Sequence, residues 1–199
     1  MTEYRAWAPG SIANLGVGFD VVGVAVDTVG DYVTARLSAT PGVRITDIQG
    51  DDGVLPLDAN KNVAGVAARE TLKLAGASDG VEIRLEKGLG IGTGLGSSAA
   101  SAAAAAFAVN AALGSPLDVS GLIQPCIEAE AVVSGRHADN VGASLLGGWV
   151  LVRSIDPVDV VQLPPPKDIW MTIVSPHFVL ETRKARSVVP DRLDRSLVV

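Results

Sequence analysis

Residues 88–98 read G-L-G-I-G-T-G-L-G-S-S, with glycine at 88, 90, 92, 94 and 96, and an alanine-rich run starts at Ala99. Few architectures accommodate that order. Alternating glycines weaken any strand or helix they occupy, whereas the run after them is made of the best helix former. The segment is therefore expected to be a tight loop delivered into a helix. Successive N–H groups of such a loop converge on an anion without side chains in the way, and the exposed N–H groups of the helix add partial positive charge there. A nucleotide is the first ligand this implies. The loop has no Lys before its serine pair, as a Walker A loop requires, and no frame of it gives G-x-G-x-x-G. The competing reading, in which small residues only let a helix lie close to a sheet, leaves the conformational cost of five alternating glycines without a return.

The segments around the loop have their own signatures. Residues 81–86 alternate Val81, Ile83 and Leu85 with Glu82, Arg84 and Glu86, the pattern of a half-buried strand leading into the loop. The helix after it is expected over 99–113, with Ser97 or Ser98 as its N-cap. Upstream, strands are expected at 4–8, 32–37 and 43–48, with a loop over 10–20 and a further apolar run at 21–26, and residues 62–75 have helical spacing before Gly76. Downstream, the spacing predicts a helix over 119–134, uncertain in its first turns at Pro125, and a strand over 145–153. The stretch 157–167 contains Pro164, Pro165 and Pro166 and reads as a boundary, followed by a strand at 170–174 and a short helix at 182–189. The order is that of an α+β protein with its helices on one side, divided into units 1–156 and 157–199.

Composition narrows the partners. With 199 residues, 48% of them hydrophobic, the chain can bury a substantial core. A net charge of −6 with no Lys/Arg cluster argues against nucleic acid or an anionic membrane as the main partner. Cys126 is the single cysteine, so no intramolecular disulfide forms, and it is expected to be a small buried hydrophobe. The first residues show neither a signal-peptide nor a transit-peptide pattern, and the apolar run 99–113 is too short and too alanine-rich to span a bilayer. A cytoplasmic protein is expected.

Three motifs then stand in order: P-G-S-I-A-N-L-G-V-G-F-D at 9–20, G-I-G-T-G-L-G-S-S-A-A-S at 90–101, and S-G-R-H-A-D-N-V-G-A-S-L-L-G-G at 134–148. Together they resemble the GHMP kinase superfamily, and the A-N-L-G-x-G-F-D and H-A-D-N-V wording resembles its homoserine kinase branch. The resemblance runs from about residue 4 to 190. It implies a ribosomal S5 domain 2-like N-terminal domain followed by the start of a ferredoxin-like C-terminal domain, and ATP-dependent phosphorylation of the L-homoserine hydroxyl. It also implies roles for particular residues. Backbone N–H groups of Gly90, Gly92, Gly94, Leu95, Gly96 and Ser97 would hold the ATP phosphates. Ser98 and Glu130 would ligate Mg²⁺, an ion that takes oxygen ligands, with Glu128 the nearest competitor to Glu130. Asn62 sits where the family has an adenine-contacting asparagine, and a helix N-cap is the equally weighted alternative. Asn14, Asp20 and Asn140 match positions that hold the amino acid substrate, and Arg186 matches an arginine that clamps its carboxylate. Asp139 is placed like the general base of some sister kinases, although the homoserine branch is held to manage without one. His137 is assigned to shaping the turn that presents Asp139 and Asn140.

The chain departs from the family pattern in two respects. Gly90 replaces a proline, which should loosen the entry to the loop. Relatives run to about 300 residues, in line with a two-domain kinase, so a second carboxylate-binding arginine and a third glycine-rich motif are not among these 199 residues. Apolar segments at 170–174 and 178–180 are expected to need cover, which a second copy in a homodimer would supply. Two rival functions follow: a GHMP kinase with another small hydroxy substrate, or a non-catalytic homologue that binds nucleotide or a partner chain.

Overall fold

A computed structural model describes residues 2–166, 168–174, 182–190 and 192. The spine of its sheet is β2, Gly18–Ser38. β1, Tyr4–Asn14, runs antiparallel along β2, while β4, Gly80–Glu86, pairs with residues 32–38 and β5, Trp149–Ile155, with residues 22–24. β3, Val43–Gln49, joins β4 in parallel and β6, Val158–Leu163, joins β5 antiparallel, giving the order β3-β4-β2-β5-β6 with β1 also on β2. The alternation in β4 works as expected: Val81, Ile83 and Leu85 are buried under the helices, while Glu82 on the opposite face pairs with Arg36 and Arg44.

The helices are α1, Val63–Leu74, α2, Ser97–Ala112, α3, Ile123–Glu130, α4, Asp139–Leu146, and α5, Thr182–Ser187. α2 is the central one. It lies on β1, β2 and β4 and is flanked by α1, α3 and α4, and the alanines at 99, 100, 102–106 and 108 are fully buried. A helix apolar on all sides belongs in an interior, and alanine lets each neighbour approach closely. No helix among the described residues is long and apolar enough to cross a membrane.

Several expected boundaries shift for reasons of pairing. Residues 10–14 and 18–20, expected as loop, continue β1 and β2: residues 10–13 pair with residues 23–26, and Asn14 pairs with Gly18 where the hairpin closes. The helix expected over 119–134 is a 3₁₀ turn at Ser120–Leu122 followed by the shorter α3, with Pro125 in the first turn, where an N–H has no helical partner to lose. α4 was hidden inside the third motif. The stretch 157–167, expected as a boundary, contains β6, so the sheet runs on to Leu163 and the three prolines come after it. The strand expected at 170–174 is absent, since these residues have no regular structure. The apolar segment 178–180 lies outside the described residues.

Candidate active site

The glycine loop leaves β4 and enters α2 through backbone conformations that favour glycine. Gly92, Gly94 and Gly96 have φ of 71°, 78° and 61°. Gly96 is itself the N-cap of α2 and no side chain caps the helix, so neither Ser97 nor Ser98 takes the capping role expected of them. The first turn of α2 thus leaves N–H groups open toward the loop. Leu95 ties the loop to β1, its carbonyl accepting from Ser11 N–H at 3.0 Å. The Gly90 carbonyl accepts from Thr93 Oγ1 at 3.0 Å, a bond that braces the loop entry where the family has proline.

Loop, helices and hairpin enclose a cavity of about 790 Å³, within the size range of small-molecule and cofactor sites. Gly92, Gly94, Gly96, Ser97 and Ser98 line one side, and Asn14, Glu130, Asp139 and Asn140 reach it from β1, α3 and α4. Three motifs far apart in sequence therefore share one space. Gly90 and Leu95 are not among its lining residues; they shape the loop from behind.

Glu130 is 5% exposed. The Ser134 hydroxyl donates to its Oε2 at 2.8 Å, and its Oε1 is buried without a hydrogen bond. Burial pushes the Glu130 carboxyl up, against the pull of the neighbouring Ser98 and Ser134 hydroxyls. A buried carboxylate oxygen with no donor is costly unless something cationic arrives. Glu128, the competitor, is engaged by Arg136 and Gln124 instead. Among the described residues no group of three or more His, Cys, Asp or Glu is arranged to hold a metal unaided.

Asp139 opens α4 and is 2% exposed. Burial raises its carboxyl, opposed by the Asn140 N–H, which donates to Oδ1 at 2.9 Å. Its place depends on Gly23 in β2: a Cβ there would sit 2.1 Å from the Asp139 carbonyl oxygen, so strand and helix terminus meet only because that residue is glycine. Asn140 accepts at Oδ1 from the Ser11 hydroxyl at 2.9 Å, and Ser144 donates to the Pro9 carbonyl at 3.0 Å. Asn14 and Asp20 flank the β1–β2 hairpin with φ of 72° and 58°, a left-handed conformation that Asn and Asp tolerate better than most residues. The Asp20 N–H donates to Asn14 Oδ1 at 2.9 Å, and Asp20 Oδ2 stands 3.7 Å from His137 Nδ1. His137, on the cavity wall, thus faces the acid of the first motif.

Asn62 resolves toward one of its two roles. It is the N-cap of α1, its Oδ1 accepting from Ala64 N–H and its Nδ2 donating to the Pro56 carbonyl, both at 3.0 Å, with 2% exposure. It touches the cavity with one amide N–H and one oxygen lone pair bonded to the protein and a second of each left over. Arg186 lies in α5, whose Ala185 lines the cavity; the Arg186 side chain lies outside what the structure describes.

Sequence reasoning missed the groups behind the loop. Asp31, fully buried in β2, accepts from the N–H groups of Gly88 and Leu89 and from Ser101, and pairs with Lys87. A lysine directly before the glycines was the available signal; Asp31 is one of three aspartates in β2, and only its burial sets it apart.

Residues 62–148 match the family model described as GHMP kinases N terminal domain. A homoserine kinase of Arabidopsis thaliana is 44% identical over 95% of this chain and 53% of its own length. The crystal structure of homoserine kinase from Cytophaga hutchinsonii superposes with a TM-score of 0.93 at 45% identity, covering 100% of this chain and 63% of that one. Mevalonate kinase of Methanococcus jannaschii shares the fold at 14% identity, TM-score 0.61. The chain spans between about half and two thirds of the length of these relatives. The α+β sheet with helices on one face, the glycine loop entering α2 and the matched residues are one pattern, and residues 62–148 of the chain belong to the family of GHMP kinase N-terminal domains.

Proposed function

We propose that this chain carries the ATP-binding unit of a cytoplasmic homoserine kinase, which transfers the γ-phosphoryl group of ATP to the hydroxyl of L-homoserine. The observation that carries the reading is Glu130. Its donor-free Oε1 is buried beside Ser98 at the point where the loop enters α2, in the cavity shared by Asn14, Asp139 and Asn140. This donor set suits Mg²⁺, which takes oxygen ligands and fills its shell with phosphates and water; Ser98 and Glu130 would hold it, and when bound it neutralises phosphate charge.

The chain's own groups supply the rest. N–H groups of the loop and of the first turn of α2 hold the phosphates, and phosphoryl transfer depends chiefly on positioning and charge stabilisation. Asp20 would take the substrate ammonium, Asn14 and Asn140 its polar oxygens, and Arg186 its carboxylate. The substrate oxygen bonds to the γ-phosphorus as the bond to ADP breaks. The hydroxyl proton leaves with the phosphate oxygens or goes to Asp139, whose carboxyl, like that of Glu130, is raised by burial. The ATP-binding unit is proposed to end at Leu163, the last residue of the sheet.

ATP-dependent phosphate transfer by the purified chain, with Mg²⁺, L-homoserine, D-homoserine and mevalonate, tests this. Turnover selective for L-homoserine is expected; equal or greater turnover of mevalonate would move the assignment to another branch. A second reading is nucleotide binding without turnover by these residues, whose glycine loop and open first turn of α2 suffice for a phosphate site. Folded protein that binds Mg²⁺·ATP but transfers no phosphate would favour it.

A further inference from the structure

At the base of the glycine loop lies a charged pair that touches both of its ends, and its lysine, Lys87, borders the cavity together with Ser97 and Ser101. The Asp31 carboxylate is fully buried, and the Lys87 side chain is 2% exposed. Asp31 Oδ1 accepts from Gly88 N–H at 3.0 Å and Leu89 N–H at 3.1 Å, the residues where the loop begins. Asp31 Oδ2 takes the Ser101 hydroxyl at 2.7 Å and the Lys87 ammonium. Lys87 Nζ in turn donates to the Ser97 carbonyl at 3.1 Å, the Ser97 hydroxyl at 2.7 Å and Ser101 Oγ at 2.9 Å, in the first turn of α2 where the loop ends. The carboxylate therefore receives four donors, and the ammonium spends its donors on protein oxygens.

A fully partnered internal pair of opposite charges contributes no net charge to the cavity. Replacing such a pair with uncharged groups of similar volume is often neutral for stability, while losing one partner is strongly destabilising. Its placement is what matters here: β4, the loop and α2 are joined through two side chains, across the segment whose glycines supply no stiffness of their own.

We propose that Asp31 and Lys87 form a latch that clamps the two ends of the glycine loop together and so pre-aligns its N–H groups for phosphate. They are positioning residues that need not touch the nucleotide. The ligand half of this inference rests on the proposed ATP site; the clamping half does not. Pre-alignment lowers the ordering cost of binding, so loss of the latch should appear as weaker ATP binding even in a well-folded protein.

The test compares the unmodified chain with Asp31→Asn/Lys87→Met, in which both charges are removed together, and with Ser101→Ala, which keeps the ion pair. Amide hydrogen exchange and thermal stability are measured without ligand, and Mg²⁺·ATP affinity by calorimetric titration. In the double variant, exchange at Gly88 and Leu89 should rise at least tenfold with little change in the core of α1. ATP affinity should fall at least tenfold while Tm stays within a few degrees; Ser101→Ala should show the same pattern several-fold weaker. Unchanged exchange at the loop in both variants would overturn the latch. Faster exchange with unaltered ATP affinity would overturn its role in positioning. Should the double variant not fold, Ser101→Ala alone decides between these outcomes. An unmodified chain that binds no ATP would sink the nucleotide site, with the clamp still judged by exchange.

Discussion

Two glycines of the same loop should respond differently to the same substitution. Gly94 and Gly96 both have left-handed backbones, at φ of 78° and 61°. A Cβ on Gly94 would meet nothing within 4 Å, whereas one on Gly96 would lie 2.2 Å from Ser11 Oγ and 2.9 Å from Asn140 Oδ1. The left-handed conformation costs alanine about 1–2 kcal/mol, offset by about 0.4–1 kcal/mol from a less mobile unfolded chain. Gly94→Ala should therefore lose about 1 kcal/mol or less. Gly96→Ala adds overpacking of about 1–3 kcal/mol, because Ser11 is fully buried and can yield only by giving up its bond to Asn140. The sum is about 3 kcal/mol, or about 6–12 °C in Tm for a chain of this size. Urea and thermal unfolding of both variants would measure it, and Gly96→Ala should also weaken acceptor binding through the displaced Asn140. Equal destabilisation of the two variants, within about 0.5 kcal/mol, would refute the claim that Gly96 is needed for close contact as well as for its backbone angle.

Other outcomes follow from the site. Asn62→Ala should cost about 0.5–2 kcal/mol by removing the cap of α1, read from urea unfolding; no loss would mean that Ala64 N–H finds water instead. Glu130 and Asp139 both have carboxyls raised by burial, so the folded state holds their protons to higher pH than the unfolded state does. Their contribution to stability is therefore favourable at low pH and declines as pH rises from the ordinary carboxylate range through the raised values. Glu130→Gln should flatten that decline, with its unfolding midpoint gaining on the unmodified protein between pH 5 and pH 7.5, and should abolish Mg²⁺-dependent turnover; an identical pH profile would contradict the assignment of burial as the dominant cause. Asp20→Ala should raise the L-homoserine KM at least tenfold with the ATP KM within twofold, and an unchanged homoserine KM in an active enzyme would remove Asp20 from the substrate site.

Elements whose signal is local were legible in the chain. Residues 81–86 alternate, the glycines cannot form regular structure, and the alanine run can hardly be anything but a helix, so β4, the loop and α2 followed in order. The three motifs also pointed to one family, whose solved relatives share the fold. What misled was chemistry that depends on a distant partner. Residues 10–20 are rich in glycine and turn formers, yet residues 10–14 are strand because each has a pairing mate on β2. β6 disappeared behind a run of prolines that only follows it, and 170–174 has strand composition with no strand pairing it among the described residues.

The site divides along the same line. Sequence alone marked Ser98, Asp139 and Asn140 as polar groups within recognisable motifs, because residue type and local spacing carry that information, whereas Glu130 lies outside the motifs and was marked only by the family resemblance. Only the tertiary structure decided that Asn62 caps a helix, that Glu130 keeps a donor-free oxygen, and that Asp31 meets Lys87, 56 residues away in the chain. Burial and hydrogen-bond partnership are properties of the folded arrangement, set by which strand lies against which helix. Spacing along the chain does not encode them.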